Sequence, residues 1–435
     1  MFSKLKNKKF LSLLSLLILF VAVGFYFQKN PVAHYKTPQE ANTFVRFDME
    51  AYDLILANYW KKSTDADLSQ LFQLSLQKAE NSPDLPQLAT TTRAGAAQML
   101  LSAFQNATST YAQKQLATNI LIVALYNVIP TGRSGLLSSA QETELRQNVA
   151  NVNPGNDLYQ NLGLSDGATS GEVSVAYNSQ KILLEASTSP EAKAKLTQIT
   201  YAEKVLTNQN SKTLYDQQKV EPTVFSHTLG KTLYLYFDKI SPTTIQEFGL
   251  AVDSASTTPS LDTMIIDLRG NIGGSLDFAQ YFLGLFIGPN QYAFDLYHQG
   301  DYNTQRTTAG KFDELSKYKE IAILTDGMTQ STAELITASL KRFHLVVVVG
   351  GKTRGWGTVE NTFPLSTVID PSEKYSLLLV HSLTLRDDNQ PIEQNGVLPD
   401  VDISRKNWQN ELTNYFKSTG MINAVVQAVT QSPIK

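Results

Sequence analysis

The chain has no cysteine. That excludes disulfides, thiolate zinc sites and cysteine nucleophiles together. Histidine is scarce as well: His34, His227, His298, His344 and His381 are the full set, and no two stand at metal-ligand spacing. Neither a metal nor a cofactor is expected. Basic clusters are missing beyond residue 9, and the formal net charge is −3. Nucleic-acid binding therefore has no electrostatic footing.

Apolar content is ordinary for a folded protein, at 42% of the 435 residues. Length alone suggests two or three domains. The N-terminus differs from the rest. Lys4, Lys6, Lys8 and Lys9 precede an uncharged, mostly apolar run from Phe10 to Phe27. Such a run just spans a bilayer, and the lysines before it favour a cytoplasmic N-terminus. Residues 1–30 are read as a membrane anchor or signal peptide. The expected location is the bacterial cell membrane, single-pass, with the body extracytoplasmic.

From 38 to 150 the pattern is helical. Phe44, Phe47, Ala51, Leu54, Ile55 and Tyr59 recur largely at three- and four-residue intervals. From 222 to 405 short apolar runs alternate with helical spacing. Strands are expected around Leu233–Phe237, Met264–Leu268, Ile321–Thr325, Leu345–Val349 and Tyr375–Val380, with helices over Phe278–Phe286 and Thr332–Phe343. Strand–helix alternation implies βαβ units. Residues 406–435 are read as a helical tail.

Two strand-to-helix turns carry chemistry. Asp267-Leu268-Arg269-Gly270-Asn271-Ile272-Gly273-Gly274 is one, and Asp326-Gly327-Met328-Thr329-Gln330-Ser331-Thr332-Ala333-Glu334 is the other. A serine at such a turn can present its hydroxyl as a nucleophile, and a double glycine can present backbone N–H groups as an oxyanion hole. The bland alternative for Ser331 is a capping box with Glu334. For Asp267 and Arg269 it is a strand-end ion pair, which is favoured.

With the later Gly351–Gly357 and Gly396-Val397-Leu398-Pro399-Asp400-Val401 elements, this order of motifs resembles the tail-specific (C-terminal processing) serine peptidases. The resemblance implies an α/β C-terminal domain of the tail-specific peptidase (ClpP/crotonase-like) type, preceded by an all-helical region. It implies Ser331 as nucleophile, with the N–H of Thr332 and one N–H from Gly273 and Gly274 as oxyanion donors. The ligand would be a polypeptide substrate or peptide, added to a sheet edge. The family's usual lysine base sits in a Gly-Lys-Gly element, where this chain has Gly355-Trp356-Gly357. Indole cannot accept a proton. A second branch uses a histidine from the helical part, and there the chain has Arg133, which is no base either. Lys341 and Lys352 fit neither motif. The alternative function is a pseudopeptidase that binds peptides or partners without turnover.

Residues 157–217 bear a second resemblance, to J-domains, through Asp157–Leu164, Glu172–Tyr177, Tyr201–Thr207 and Leu214-Tyr215-Asp216. The His-Pro-Asp signature is absent, so chaperone ATPase stimulation is not implied. The insert is expected to be helical.

Overall fold

The computed structural model describes residues 36–82, 87–258, 260–386 and 388–433. The expected N-terminal anchor lies outside the described residues. Among those described, no helix is long and apolar enough to cross a membrane.

Four helices lead: α1 (Thr43–Asn58), α2 (Asp65–Ala79), α3 (Arg93–Asn106) and α4 (Thr110–Asn127). Their starts follow from local chemistry. The Asn42 side chain accepts from the Phe44 and Val45 N–H groups, and Thr64 with Asp67 closes a capping box. One apolar face of each builds a common core that includes Phe47, Tyr52, Phe72 and Phe104. The region is not helical throughout, however. Strand β1 (Gly135–Ser138) follows α4 and leads into α5 (Ser139–Ala150). Its four residues are too few for a period-two pattern to show in the sequence.

A helical module comes next: α6 (Leu158–Asn161), α7 (Ser170–Glu185), α8 (Pro190–Thr207) and α9 (Gln209–Gln218). Leu162, Val173, Ala202, Leu206 and Tyr215 form its own small core. The chain enters and leaves side by side, because Val152 bridges Val220 and the Glu221 N–H bonds the Asn151 carbonyl at 3.0 Å.

The remainder alternates strands and helices: β2 (Val224–Leu229), β3 (Thr232–Phe237), α10 (Thr244–Ser256), β4 (Thr263–Asp267), α11 (Asp277–Ile287), β5 (Tyr292–His298), β6 (Asp301–Arg306), β7 (Glu320–Thr325), α12 (Thr332–Arg342), β8 (Val347–Gly350), β9 (Thr358–Pro364), β10 (Tyr375–Thr384) and β11 (Val401–Asp402). The main sheet has the order β11-β8-β7-β4-β3-β2. It is parallel except for the antiparallel edge strand β2. Helices α10, α11 and α12 cover one face through Phe248, Phe282 and Ile336. The other face is covered by α14 (Thr419–Thr430), through Met421, Ala424 and Val425, which follows the short α13 (Trp408–Glu411). Burial on both faces explains why β3 and β4 read as continuous apolar runs.

A second, antiparallel sheet was not foreseen. It runs β1-β10-β5-β6, with β9 also paired to β10. Through β1 the helical region and the α/β region share a sheet. Leu377 and Leu379 of β10 lie in the helical region's core.

Candidate active site

Three turns meet at the C-terminal ends of β4, β7 and β8, the side of a parallel sheet where ligands bind. Asp326 ties the first two together. Its Oδ1 accepts from the N–H groups of Gly270 (3.0 Å), Met328 (2.9 Å) and Thr329 (2.9 Å). The Gln330 N–H bonds the Asn271 carbonyl at 2.9 Å, and the Thr329 hydroxyl bonds the Leu268 carbonyl at 2.8 Å. The third turn joins where the Arg354 N–H meets the Thr329 carbonyl at 2.9 Å.

Ser331 stands immediately before α12 with φ 58° and ψ −130°. Ordinary N-cap residues are extended, as are Thr64, Ser109, Ser138 and Thr169 in this chain. A non-glycine residue held at positive φ costs on the order of 1–3 kcal/mol and marks functional turns. Ser331 and Glu334 stand in capping-box register, but the bonds that close it run through the Ser331 backbone. The Ser331 N–H donates to Glu334 Oε2 at 2.9 Å, and the Glu334 N–H donates to the Ser331 carbonyl at 2.8 Å. The Ser331 side chain faces the Glu334 N–H as in a capping box, but no hydrogen bond of its hydroxyl is found among the described residues. The positive φ separates Ser331 from the extended residues that start the other helices.

Gly273 packs directly on this turn. A Cβ at Gly273 would fall 2.6 Å from Ser331 Cβ and 2.9 Å from the Thr332 nitrogen, and its φ is +83°. Only glycine fits there. Gly274 passes as closely to the Ile240 carbonyl. The Thr332 hydroxyl donates to the Gly274 carbonyl at 2.8 Å and so fixes that peptide. The structure thus brings Ser331, Thr332, Gly273 and Gly274 together. It also distinguishes the two glycines. The Gly273 N–H is occupied by Asn271 Oδ1 at 2.8 Å, whereas no bond of the Gly274 N–H is found among the described residues.

Glu334 binds the third turn to the first helical residues. Fully buried, it accepts from the N–H groups of Gly355 and Trp356, both at 2.8 Å, and from the Thr353 hydroxyl. Burial raises its carboxyl pKa, and these donors pull it back. Trp356 is thereby held beside the serine turn. The guanidinium of Arg133 lies over its ring, 3.2 Å from the centroid. Arg133 also bonds Glu393 at 3.1 Å, and Glu393 accepts the Gly357 N–H at 2.9 Å. Arg133 and Trp356, the two residues at the positions where the resemblance implies a base, are 223 positions apart and stacked on each other. Such contacts contribute about 0.5–2 kcal/mol.

Ser331 lines a cavity of about 410 Å³ with Thr332, Leu335, Val359, Glu360 and Asp277 among its walls. Glu360 went unremarked in the sequence. It accepts from Trp356 Nε1 at 3.2 Å and from the Thr358 hydroxyl, and burial raises its pKa. Strand alternation puts Thr358 and Glu360 on one face of β9, a signal too short to single them out. His227, His298, His344 and His381 do not line this cavity, nor does any lysine. His298 and His381 stack on each other at 4.3 Å, His227 lies against Tyr234, and Lys341 is paired with Asp400. Asp267 and Arg269 form a buried ion pair at 2.6 Å, as expected; Arg269 also bonds the Ala428 carbonyl at the end of α14.

Residues 231–403 match the family model described as Peptidase family S41. The match takes in the α/β region from β3 to β11. The chain is 27% identical over 181 residues to a "Probable CtpA-like serine protease" of Staphylococcus epidermidis. It is 29% identical over 182 residues to a protein of the same description from Staphylococcus aureus. Each match covers 42% of this chain and 35% of the relative, so the chain matches about a third of those proteins' length. Among solved structures, the chain is similar to a photosystem II D1 C-terminal processing protease. Identity is 12%, coverage 85% of this chain and 94% of that one, and TM-score 0.49.

Proposed function

We propose that this protein is a serine-type peptidase of the tail-specific kind, acting on polypeptides, with Ser331 as nucleophile. The backbone of Ser331 carries the reading: a positive-φ serine at the head of α12, with its N–H held by Glu334 and its side chain in the cavity lining. Ser331 Oγ would attack a peptide carbonyl carbon. The oxyanion would be met by the N–H of Thr332, which has no partner inside its helix, and by that of Gly274 rather than Gly273. The amine would leave with a proton, and water would release the acyl group. In the cavity lining the titratable groups are Glu360 and Asp277, so the serine proton would pass to a carboxylate or directly to the leaving amine.

A second reading, binding of peptides without turnover, is favoured by the Arg133–Trp356 stack at both base positions. The experiment that separates the two is digestion of an unstructured polypeptide by the purified full-length chain beside Ser331→Ala. Hydrolysis that falls at least about 10³-fold in the variant supports the peptidase. Activity surviving the substitution would remove Ser331 from the mechanism. In this proposal the protein is held at the bacterial membrane by Phe10–Phe27, with its body outside. The helical hairpin α7–α8, lacking His-Pro-Asp, supports a J-like module used for packing or partner contact.

A further inference from the structure

We propose that the cavity beside Ser331 receives a cationic side chain of the polypeptide, with Glu360 as its specificity-determining residue. The inference rests on the peptidase-fold site described above and names the ligand class of its cavity.

The charges in the lining are of one sign. Glu360 and Asp277 contribute carboxylates, and no lysine, arginine or histidine lines the cavity. Asp277, the first residue of α11, is exposed at the rim. Glu360 is part-buried on β9. A carboxylate in that position ordinarily has a cation beside it, because burial penalises its charge. Here its close partners are neutral. Trp356 Nε1 and the Thr358 hydroxyl both bond Oε1, and Oε2 takes no bond from another side chain among the described residues. The nearest guanidinium, Arg133, acts on Glu360 only at longer range. It is bonded to Glu393 and stacked on the Trp356 ring. The protein thus supplies a part-buried carboxylate whose hydrogen-bonding side chains are neutral and on which Arg133 acts only without a direct bond.

The remaining walls suit the rest of a lysine or arginine. Leu276, Leu335 and Val359 offer apolar surface for its methylene stem, while the charged head reaches the carboxylate. A volume of about 410 Å³ lies within the ordinary range for ligand pockets and exceeds what one such side chain needs. Because Ser331 is in the same lining, a residue seated there lies next to the bond presented to the serine.

The test uses full-length Ser331→Ala protein and fluorescent peptides identical except for lysine, leucine or glutamate at one position, read by polarisation. The lysine peptide is expected to bind roughly tenfold or more tightly than the leucine peptide, the size of one charge-assisted hydrogen bond. Glutamate should bind worst. Glu360→Gln keeps an acceptor for Trp356 and Thr358, so the fold should persist by circular dichroism while the lysine preference disappears. Asp277→Asn should have a smaller effect. Equal affinities, or a lysine preference that survives Glu360→Gln in folded protein, would overturn the inference. Failure of the peptidase reading looks different. Wild-type protein would then cleave none of the peptides while the Ser331→Ala protein still prefers lysine.

Discussion

Asp48 lies in the middle of α1, fully buried, and neither of its carboxylate oxygens has a hydrogen-bond partner among the described residues. Burial raises its pKa well above the usual range. The folded state therefore holds its proton more tightly than the unfolded chain does. Its stabilising contribution is complete below the unfolded value of about 3.9 and is lost as pH rises toward the folded value. Asp48→Leu should remove that loss and raise stability near neutral pH by about 1–3 kcal/mol. Thermal melts of both proteins from about pH 4 to about pH 8 check this. A wild type whose melting point does not fall relative to the variant with rising pH would refute it. Nothing in the sequence marks Asp48: it sits among Phe47, Met49 and Ala51 like any polar residue on a helix. Ser331 was legible for the opposite reason. Its turn is local, and the residues that make it, Asp326 to Glu334, are contiguous. What the sequence could not supply was the positive backbone angle of Ser331.

Among the elements, those of the parallel sheet were readable because burial on both faces leaves uninterrupted apolar runs, as in β4 and β7. Of the antiparallel sheet, β10 was legible through Tyr375–Val380, but its partners were not. Strand β6 is Asp301-Tyr302-Asn303-Thr304-Gln305-Arg306, nearly all exposed, and has no apolar alternation to detect. The link between the α4–β1 connection and the third turn is longer-range still. Tyr59 and Trp60 both donate to the Ile129 carbonyl and so pin the connection that carries Arg133. Arg133 then covers Trp356. Restoring a base by Trp356→Lys alone places an ammonium against this guanidinium, and like charges there disfavour both. The single variant should gain little. Arg133→Ala combined with Trp356→Lys should hydrolyse an unstructured polypeptide about 10²-fold faster than the single variant, the lower range of general-base contributions. A double variant no faster than the single would show that repulsion is not the obstacle.

At the scale of the whole molecule, the helical regions differ in how they are attached. The N-terminal helices share their core with β10 and donate β1 to its sheet. They also position Arg133, so their removal would expose Leu377 and Leu379 and empty one side of the candidate site. The module of α6 to α9 is different. It has its own core, and its two ends are joined by the Val152–Val220 bridge before the chain re-enters the α/β region. Its ties elsewhere are few: Tyr201 reaches Glu221 at 2.6 Å and packs against Phe225, over which Lys204 also lies. Replacing residues 154–218 by a short glycine- and asparagine-containing turn should therefore leave the remaining fold standing. The cost expected is that of the lost Tyr201 and Lys204 contacts, about 1–3 kcal/mol. The Ser331 cavity, whose walls come from other segments, should keep its peptide affinity within about threefold, a difference below 1 kcal/mol. The shortened chain would be followed by its melting temperature and by polarisation with the same peptides. If it fails to fold, the module is part of the structural core. If it folds and loses peptide binding, the module contributes to the site itself, and the J-like resemblance would have to be explained as a substrate-handling device instead of an independent insert.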